Sequence, residues 1–404
     1  MVITSSPRLA PASGAPPAGD APLASAQVSG PPGLFPQPLL LQGNGIERAL
    51  GCRVLQSPLA GVSDRIFREL VRRWAPEALL YTEMVNATSL ELGHGRLKLE
   101  DLATEAGPIA VQLFDHRPAA MAEAARRAEA AGAFLIDINM GCPVRKIARK
   151  GGGSGLIREP ELAARIVESV AAAVAIPVTV KTRLGWCGGV DSRGVDSRGE
   201  DSRGEDSHGS DSSCSDSSGA CELDHDNTSR VTTAAVAWCR QLESAGARLL
   251  TLHGRSREQG FSGRCDWAAI AAVKRSLAIP LIANGDVNSP DDARRCLQQT
   301  GADGVMVGRG TMGAPWLVGQ IAAALAGRPV PPTPGPAERL ALAAEQLQAL
   351  VASRGERGLL IARKHMGWTC QGFGGAPQLR HALMRAATPA AALELLNRAA
   401  AALP

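Results

Sequence analysis

The chain has 404 residues, 43 Lys and Arg against 39 Asp and Glu, a formal charge of +4 and 45% hydrophobic residues. That is ample for one large domain plus a smaller one, and the most apolar run is broken by Pro177, well short of the ~20 residues a bilayer crossing needs. Nine scattered cysteines without paired CxxC spacing exclude a zinc ribbon or a secreted disulfide framework, so the expectation is a soluble, cytoplasmic, metal-free protein with reduced thiols.

Residues 1–47 are rich in Pro, Ala, Ser and Gly and read as a disordered N-terminal extension without signal-peptide character. From residue 48 to 327, short apolar runs alternate with amphipathic stretches. Eight strands are predicted, at 54–58, 78–82, 109–113, 134–138, 177–182, 249–253, 281–284 and 304–307. Helices between them are announced by Ser63 as a cap and by Pro118, Pro160 and Pro290 at first-turn positions. Eight alternating units predict an α/β fold of the (β/α)8 TIM-barrel type. An open doubly wound sheet would carry a GxGxxG turn after its first strand, and Ala60-Gly61-Val62-Ser63-Asp64 has none.

After the fifth strand, residues 187–228 interrupt the pattern with tandem pentapeptides of the DSRGV and DSRGE kind. Residues 191–226 hold eleven Asp or Glu against three Arg and little apolar material, so this acidic insertion reads as disordered and is assigned no function. The rest of the chain therefore carries a surplus of positive charge, which suits a polyanionic partner. Beyond a Pro-rich link, residues 337–404 read as a small helical domain whose basic residues include Arg354, Arg357, Arg363, Lys364 and Arg380.

Candidate site residues fall at predicted strand ends, the rim where barrels carry their chemistry. Cys142 ends the run Ile136-Asp137-Ile138-Asn139-Met140-Gly141-Cys142-Pro143, and Lys150-Gly151-Gly152-Gly153-Ser154-Gly155 after it reads as a mobile basic loop able to close over a substrate. Asn284-Gly285-Asp286 and Gly308-Arg309 end the last two strands, where glycine lets backbone N–H groups approach a phosphate and Arg309 adds charged donors. Lys181 and His253 occupy two further strand ends.

Taken in order, Ala60-Gly61-Val62-Ser63-Asp64, Thr82-Glu83-Met84, Asp137 to Pro143, Lys181-Thr182-Arg183, His253-Gly254-Arg255, Ala283-Asn284-Gly285-Asp286 and Gly308-Arg309 resemble the tRNA-dihydrouridine synthases. The pattern looks most like the bacterial B-type subgroup, whose helical domain Ile361-Ala362-Arg363-Lys364-His365 also resembles. The resemblance implies an FMN-dependent, NADPH-consuming oxidoreductase that reduces the C5=C6 bond of a tRNA uridine; a monomer is expected. It implies that FMN is held by Pro58, Leu59, Ala60, Gln112, Lys181, His253, Asn284, Gly285, Asp286, Gly308 and Arg309, with Leu59 standing where the family often has Met. Cys142 would protonate the base as hydride arrives from the flavin, a task for a thiol that stays protonated. Lys181 or His253 would stabilise charge on the reduced flavin.

On the substrate side, Asn139 is expected at the uracil edge and Arg183 at its carbonyls or a phosphate. Arg145, Lys146, Arg363 and Lys364 are expected on RNA phosphates around a uridine extruded from its stack. Two rival readings are kept: a flavin barrel acting on a free pyrimidine such as dihydroorotate, and a non-catalytic RNA-binding protein on an enzyme scaffold.

Overall fold

The computed structural model describes residues 33–35, 37–94, 99, 102–186 and 225–403, with backbone alone at 225–228. The acidic array and most of the N-terminal extension lie outside the described residues.

Two strands, β1 (Leu39–Gln42) and β2 (Glu47–Leu50), pair antiparallel with Leu39 opposite Leu50. Nine parallel strands follow: β3 (Val54–Gln56), β4 (Leu80–Tyr81), β5 (Val85–Asn86), β6 (Ile109–Phe114), β7 (Leu135–Met140), β8 (Val178–Arg183), β9 (Leu250–His253), β10 (Leu281–Asn284) and β11 (Gly304–Val307). The order β3-β11-β10-β9-β8-β7-β6-β4 forms a nearly closed eight-stranded barrel, and β5 pairs with β6 beside it. At the seam, Gln56 N–H donates to Leu79 O (3.1 Å) and Tyr81 N–H to the Gln56 side-chain oxygen (3.3 Å). The eight predicted strands are these barrel strands, and the fold is the predicted TIM barrel with a helical C-terminal region.

Helices Pro118–Ala130, Pro160–Ala173 and Pro290–Thr300 begin at the prolines that announced them. The first helix departs by one residue. Asp64, not Ser63, caps Arg65–Arg72 by accepting from Phe67 N–H (2.9 Å), because the Ser63 hydroxyl already accepts from Leu59 N–H (2.9 Å).

The N-terminal extension also needs correction, since its residues 39–47 belong to the hairpin of β1 and β2. Alternate leucines explain this. Leu39, Leu41 and Leu50 turn inward and join Leu55, Leu79, Tyr81, Leu135, Leu249, Ile282 and Met306 in one buried cluster. The hairpin thus packs against barrel-strand residues at the end opposite the catalytic rim, and burial of those leucines repays the ordering of a composition that looked unstructured.

Helices Pro336–Arg354, Arg357–Thr369, Ala376–Arg385 and Pro389–Ala401 share a second core that includes Leu340, Leu347, Leu350, Met366, Leu383 and Leu396. Ile66 from the barrel packs against this core, and Arg73 pairs with Glu345 across the junction. There His365, 3% exposed, lies between Phe67 (ring centroids 5.8 Å) and Trp368 (5.2 Å) with no hydrogen-bond partner for Nε2 among the described residues. Burial first, and Lys364 second, lower its pKa to about 3.

A histidine whose folded pKa lies below its unfolded value contributes stability that is complete above the unfolded pKa, about 6.5, and is lost as pH falls from there toward the folded pKa. His365→Phe is therefore expected to flatten the fall of the urea midpoint between pH 6.5 and 5, where each such histidine costs about 1.4 kcal/mol per pH unit. Parallel wild-type and variant curves over that range would refute the assignment.

Candidate active site

The barrel strands end around a cavity of about 320 Å3. All eleven residues read from the sequence as cofactor ligands line it, together with Cys142, Asn139 and Arg183. Pro58, Leu59, Ala60, Val62, Met84, Met306 and Met312 supply an apolar wall, while Lys181, Arg183 and Arg309 bring positive charge.

That charge has measurable consequences. Burial, then Lys181, Arg183, Arg255 and Arg309, depress His253 to about 2, so its imidazole is neutral. Lys181 is lowered to about 8, by burial first and Arg183 second, and donates to the Asn284 side-chain oxygen (3.0 Å). The Asn284 amide in turn donates to Met306 O (2.9 Å), which fixes its orientation. The Arg309 side chain is half exposed, 3.9 Å from Asp286 and with its guanidinium 4.9 Å from the centre of the Phe261 ring. A pocket with such an excess of cations beside an apolar wall fits a flat, conjugated ligand that carries a phosphate.

The turn after β10 is strained to serve it. Asp286 is the one described residue other than glycine with positive φ (57°), following Gly285 at 118°. Its carboxylate accepts from Cys265 N–H (2.8 Å), and both its oxygens accept from Nη2 of Arg255 (2.8 and 2.9 Å), contacts that hold the turn in place. A Cβ at Gly285 would stand 2.6 Å from Cys265 Sγ and 2.9 Å from the His253 ring.

Cys142 follows β7 and lines the same cavity. Burial pushes its thiol up, against smaller opposing effects of the Val144 backbone, Arg183 and Lys181, so the sulfur holds its proton at neutral pH. The glycine loop after it is not a flap. Residues 152–156 are buried, Ser154 N–H donates to Cys142 O (3.1 Å), and a Cβ at Gly153 (φ 57°) would come within 3.0 Å of Cys142 Cβ. The segment supports the cysteine from behind, because its glycines allow a close approach that larger residues would block.

The residues expected on the substrate side lie apart from one another. Arg183, 3% exposed, donates Nε to Gly141 O (2.7 Å) and Nη1 to Ser256 O (3.0 Å) and Gly260 O (2.8 Å), so it ties two rim loops together. Arg363 donates to Ala386 O (3.1 Å) within the helical region. Lys364 reaches Gly61, whose Cβ would meet its Nζ at 2.8 Å, and lines a groove with Trp368 and Arg380 that shares Met312 with the main cavity. Arg145 and Lys146 are exposed on the short helix Arg145–Ala148, outside the cavity.

Three residues that the sequence reading gave no role also belong here: Arg255 beneath Asp286, Phe261 at the rim, 56% exposed with Arg183 and Arg309 beside its ring, and Asp137 within β7. An aspartate in a wholly buried strand was the one legible signal among them. Among the described residues there is no cluster of three His, Cys, Asp or Glu able to hold a metal, and no helix long and apolar enough to cross a membrane.

Known proteins share this sequence over most of its length. The family model described as Dihydrouridine synthase (Dus) matches residues 55–193 and 226–403. A probable tRNA-dihydrouridine synthase 1 of Synechocystis is 45% identical, covering 87% of this chain and 87% of that protein. A probable tRNA-dihydrouridine synthase of Rhodobacter capsulatus is 38% identical (86% and 94% covered), and the tRNA-dihydrouridine synthase B of Xanthomonas axonopodis is 37% identical (85% and 91%).

Proposed function

This chain belongs to the dihydrouridine synthase family of flavin-dependent oxidoreductases, and from that premise we propose that it reduces the C5=C6 bond of a uridine in tRNA, with FMN as its cofactor, NADPH as reductant and Cys142 as the proton donor. One observation carries the reading: a protonated thiol at a strand end opens into the same cation-rich cavity as the paired strand-end loops 284–286 and 308–309.

Bound FMN supplies the hydride that adds to the pyrimidine. The chain's own residues do the rest. Gly308 and Arg309 hold the phosphate, with room at Gly308, where a Cβ would lie 3.8 Å from Ser57. Lys181, oriented by Asn284, would offset negative charge on a bound flavin. Pro58, Leu59 and Ala60 form the apolar wall, and Gln112, His253, Gly285 and Asp286 complete the enclosure.

As charge develops on the uracil, the Cys142 thiol gives up its proton to C5, and Lys181 and Arg183 favour the resulting thiolate. The target uridine is extruded to reach the cavity, while Arg145, Lys146 and the groove at Lys364 engage flanking phosphates. The helical region, residues 337–404, is the RNA-binding part of this arrangement.

The direct test is incubation of flavin-loaded protein with NADPH and unmodified tRNA. Dihydrouridine should form, and tRNA binding should weaken steeply with salt. Reduction of free orotate or uracil, with tRNA untouched, would favour the free-pyrimidine reading instead. For the cofactor, Arg309→Ala is expected to lower retained FMN about tenfold, the worth of one charge-assisted contact. Undiminished flavin after dialysis would refute the phosphate assignment.

A further inference from the structure

A chain of hydrogen bonds runs from the barrel interior to the Cys142 loop. Asp137 on β7 is fully buried, and both its oxygens accept: one from the Thr179 hydroxyl (2.6 Å), the other from the Gln112 side-chain nitrogen (2.7 Å). The Gln112 oxygen accepts from the Asn139 side-chain nitrogen (2.8 Å). The Asn139 oxygen accepts from two backbone groups, Gly141 N–H (3.1 Å) and Cys142 N–H (2.9 Å).

The direction of this chain is set at its buried end. An ionised carboxylate has acceptors only, so Gln112 must turn its nitrogen toward Asp137 and its oxygen away. Asn139 must then meet that oxygen with its own nitrogen, which leaves its oxygen for the loop. Reversal at any step would put donor against donor at the N–H groups of Gly141 and Cys142.

We propose that Asp137 is a positioning residue for the proton donor: its carboxylate, acting through Gln112 and Asn139, dictates that an acceptor faces the backbone of Cys142. The proposal rests on the reading of Cys142 as the acid. Burial raises Asp137 to about 6, with Thr179, Gln112 and Lys181 opposing, which leaves it ionised at neutral pH. Thr179 accounts for one oxygen alone, so the polarity of the chain comes from the carboxylate rather than from its hydroxyl partner.

Asp137→Asn keeps shape but removes this dictate, since an amide can offer either end to Gln112. Single-turnover reduction of tRNA uridine, per bound flavin, should fall about tenfold or more, the worth of one or two positioning hydrogen bonds. Flavin reduction by NADPH, which uses no thiol, should not change. Alkylation of Cys142 by iodoacetamide, followed on its tryptic peptide, should accelerate in protein with or without flavin as the loop loses its anchor.

The decisive arm pairs Asp137→Asn with Gln112→Glu, which moves the carboxylate one step along and again gives Asn139 a pure acceptor. The pair should reduce tRNA uridine faster than either single variant, and if Asp137→Asn alone yields no folded protein, the comparison with Gln112→Glu still decides. A pair no better than the singles, unchanged turnover in Asp137→Asn, or equal loss of both half-reactions would overturn the proposal. Failure of the Cys142 reading is distinguishable, because it would appear as full dihydrouridine formation by Cys142→Ala.

Discussion

Cys142→Ala is expected to retain flavin, accept electrons from NADPH and bind tRNA, yet form dihydrouridine about 10²- to 10⁴-fold more slowly, the range removed with a positioned general acid. The thiol lines the cavity beside the Val144 backbone. The backbone of Cys142 is held through Asn139 and Ser154. Alanine keeps that backbone and deletes the proton source alone. Burial keeps the thiol protonated, so wild-type turnover should not fall off on the acid side for lack of the acid form. Dihydrouridine yield, read by nuclease digestion and mass spectrometry, checks the result, and a full yield from the variant would remove Cys142 from the mechanism.

Arg183→Ala should damage both stability and activity. The side chain satisfies the carbonyls of Gly141, Ser256 and Gly260, which lie on two different rim loops. Deleting it strands three acceptors, at a cost of about 2–4 kcal/mol in urea unfolding. The Gly141 carbonyl is one residue from Cys142, so the thiol would also drift, and a shift near 1 Å costs about a hundredfold in turnover. Arg183→Lys should rescue little, since an ammonium cannot span the same fork of acceptors. A variant with wild-type stability but a raised KM for tRNA would show instead that Arg183 acts on substrate alone.

The sequence made the barrel legible because its signals are local. Runs such as Ile109 to Leu113, prolines at helix starts and glycines at strand ends each act within a few residues, and the eight strands and the strand-end positions of Cys142, Lys181, His253, Asn284 and Gly308 follow from them, whereas Pro58, Leu59, Ala60 and Gln112 came only with the family resemblance. It misread the glycine loop at 151–155 and the strand at 39–42 because composition there resembles a flexible segment, whereas burial against Cys142 and the barrel interior decides otherwise. It placed Arg183 on substrate because a strand-end arginine resembles a free cation. Only the fold shows that its Nε and Nη1 also donate to the backbone of two rim loops.

By itself the sequence determined the alternation of strand and helix and which residues stand at the strand ends, because periodicity and strand-end position are properties of neighbouring residues. Tertiary structure alone decided that Asp137 reaches Cys142 through Gln112 and Asn139, that Arg255 holds Asp286, and that Lys364 comes from a separate helical core to lie against Gly61. Those contacts join strands and helices tens to hundreds of residues apart, and hydrogen-bond direction and charge balance exist only once folding has brought their partners within about 3 Å.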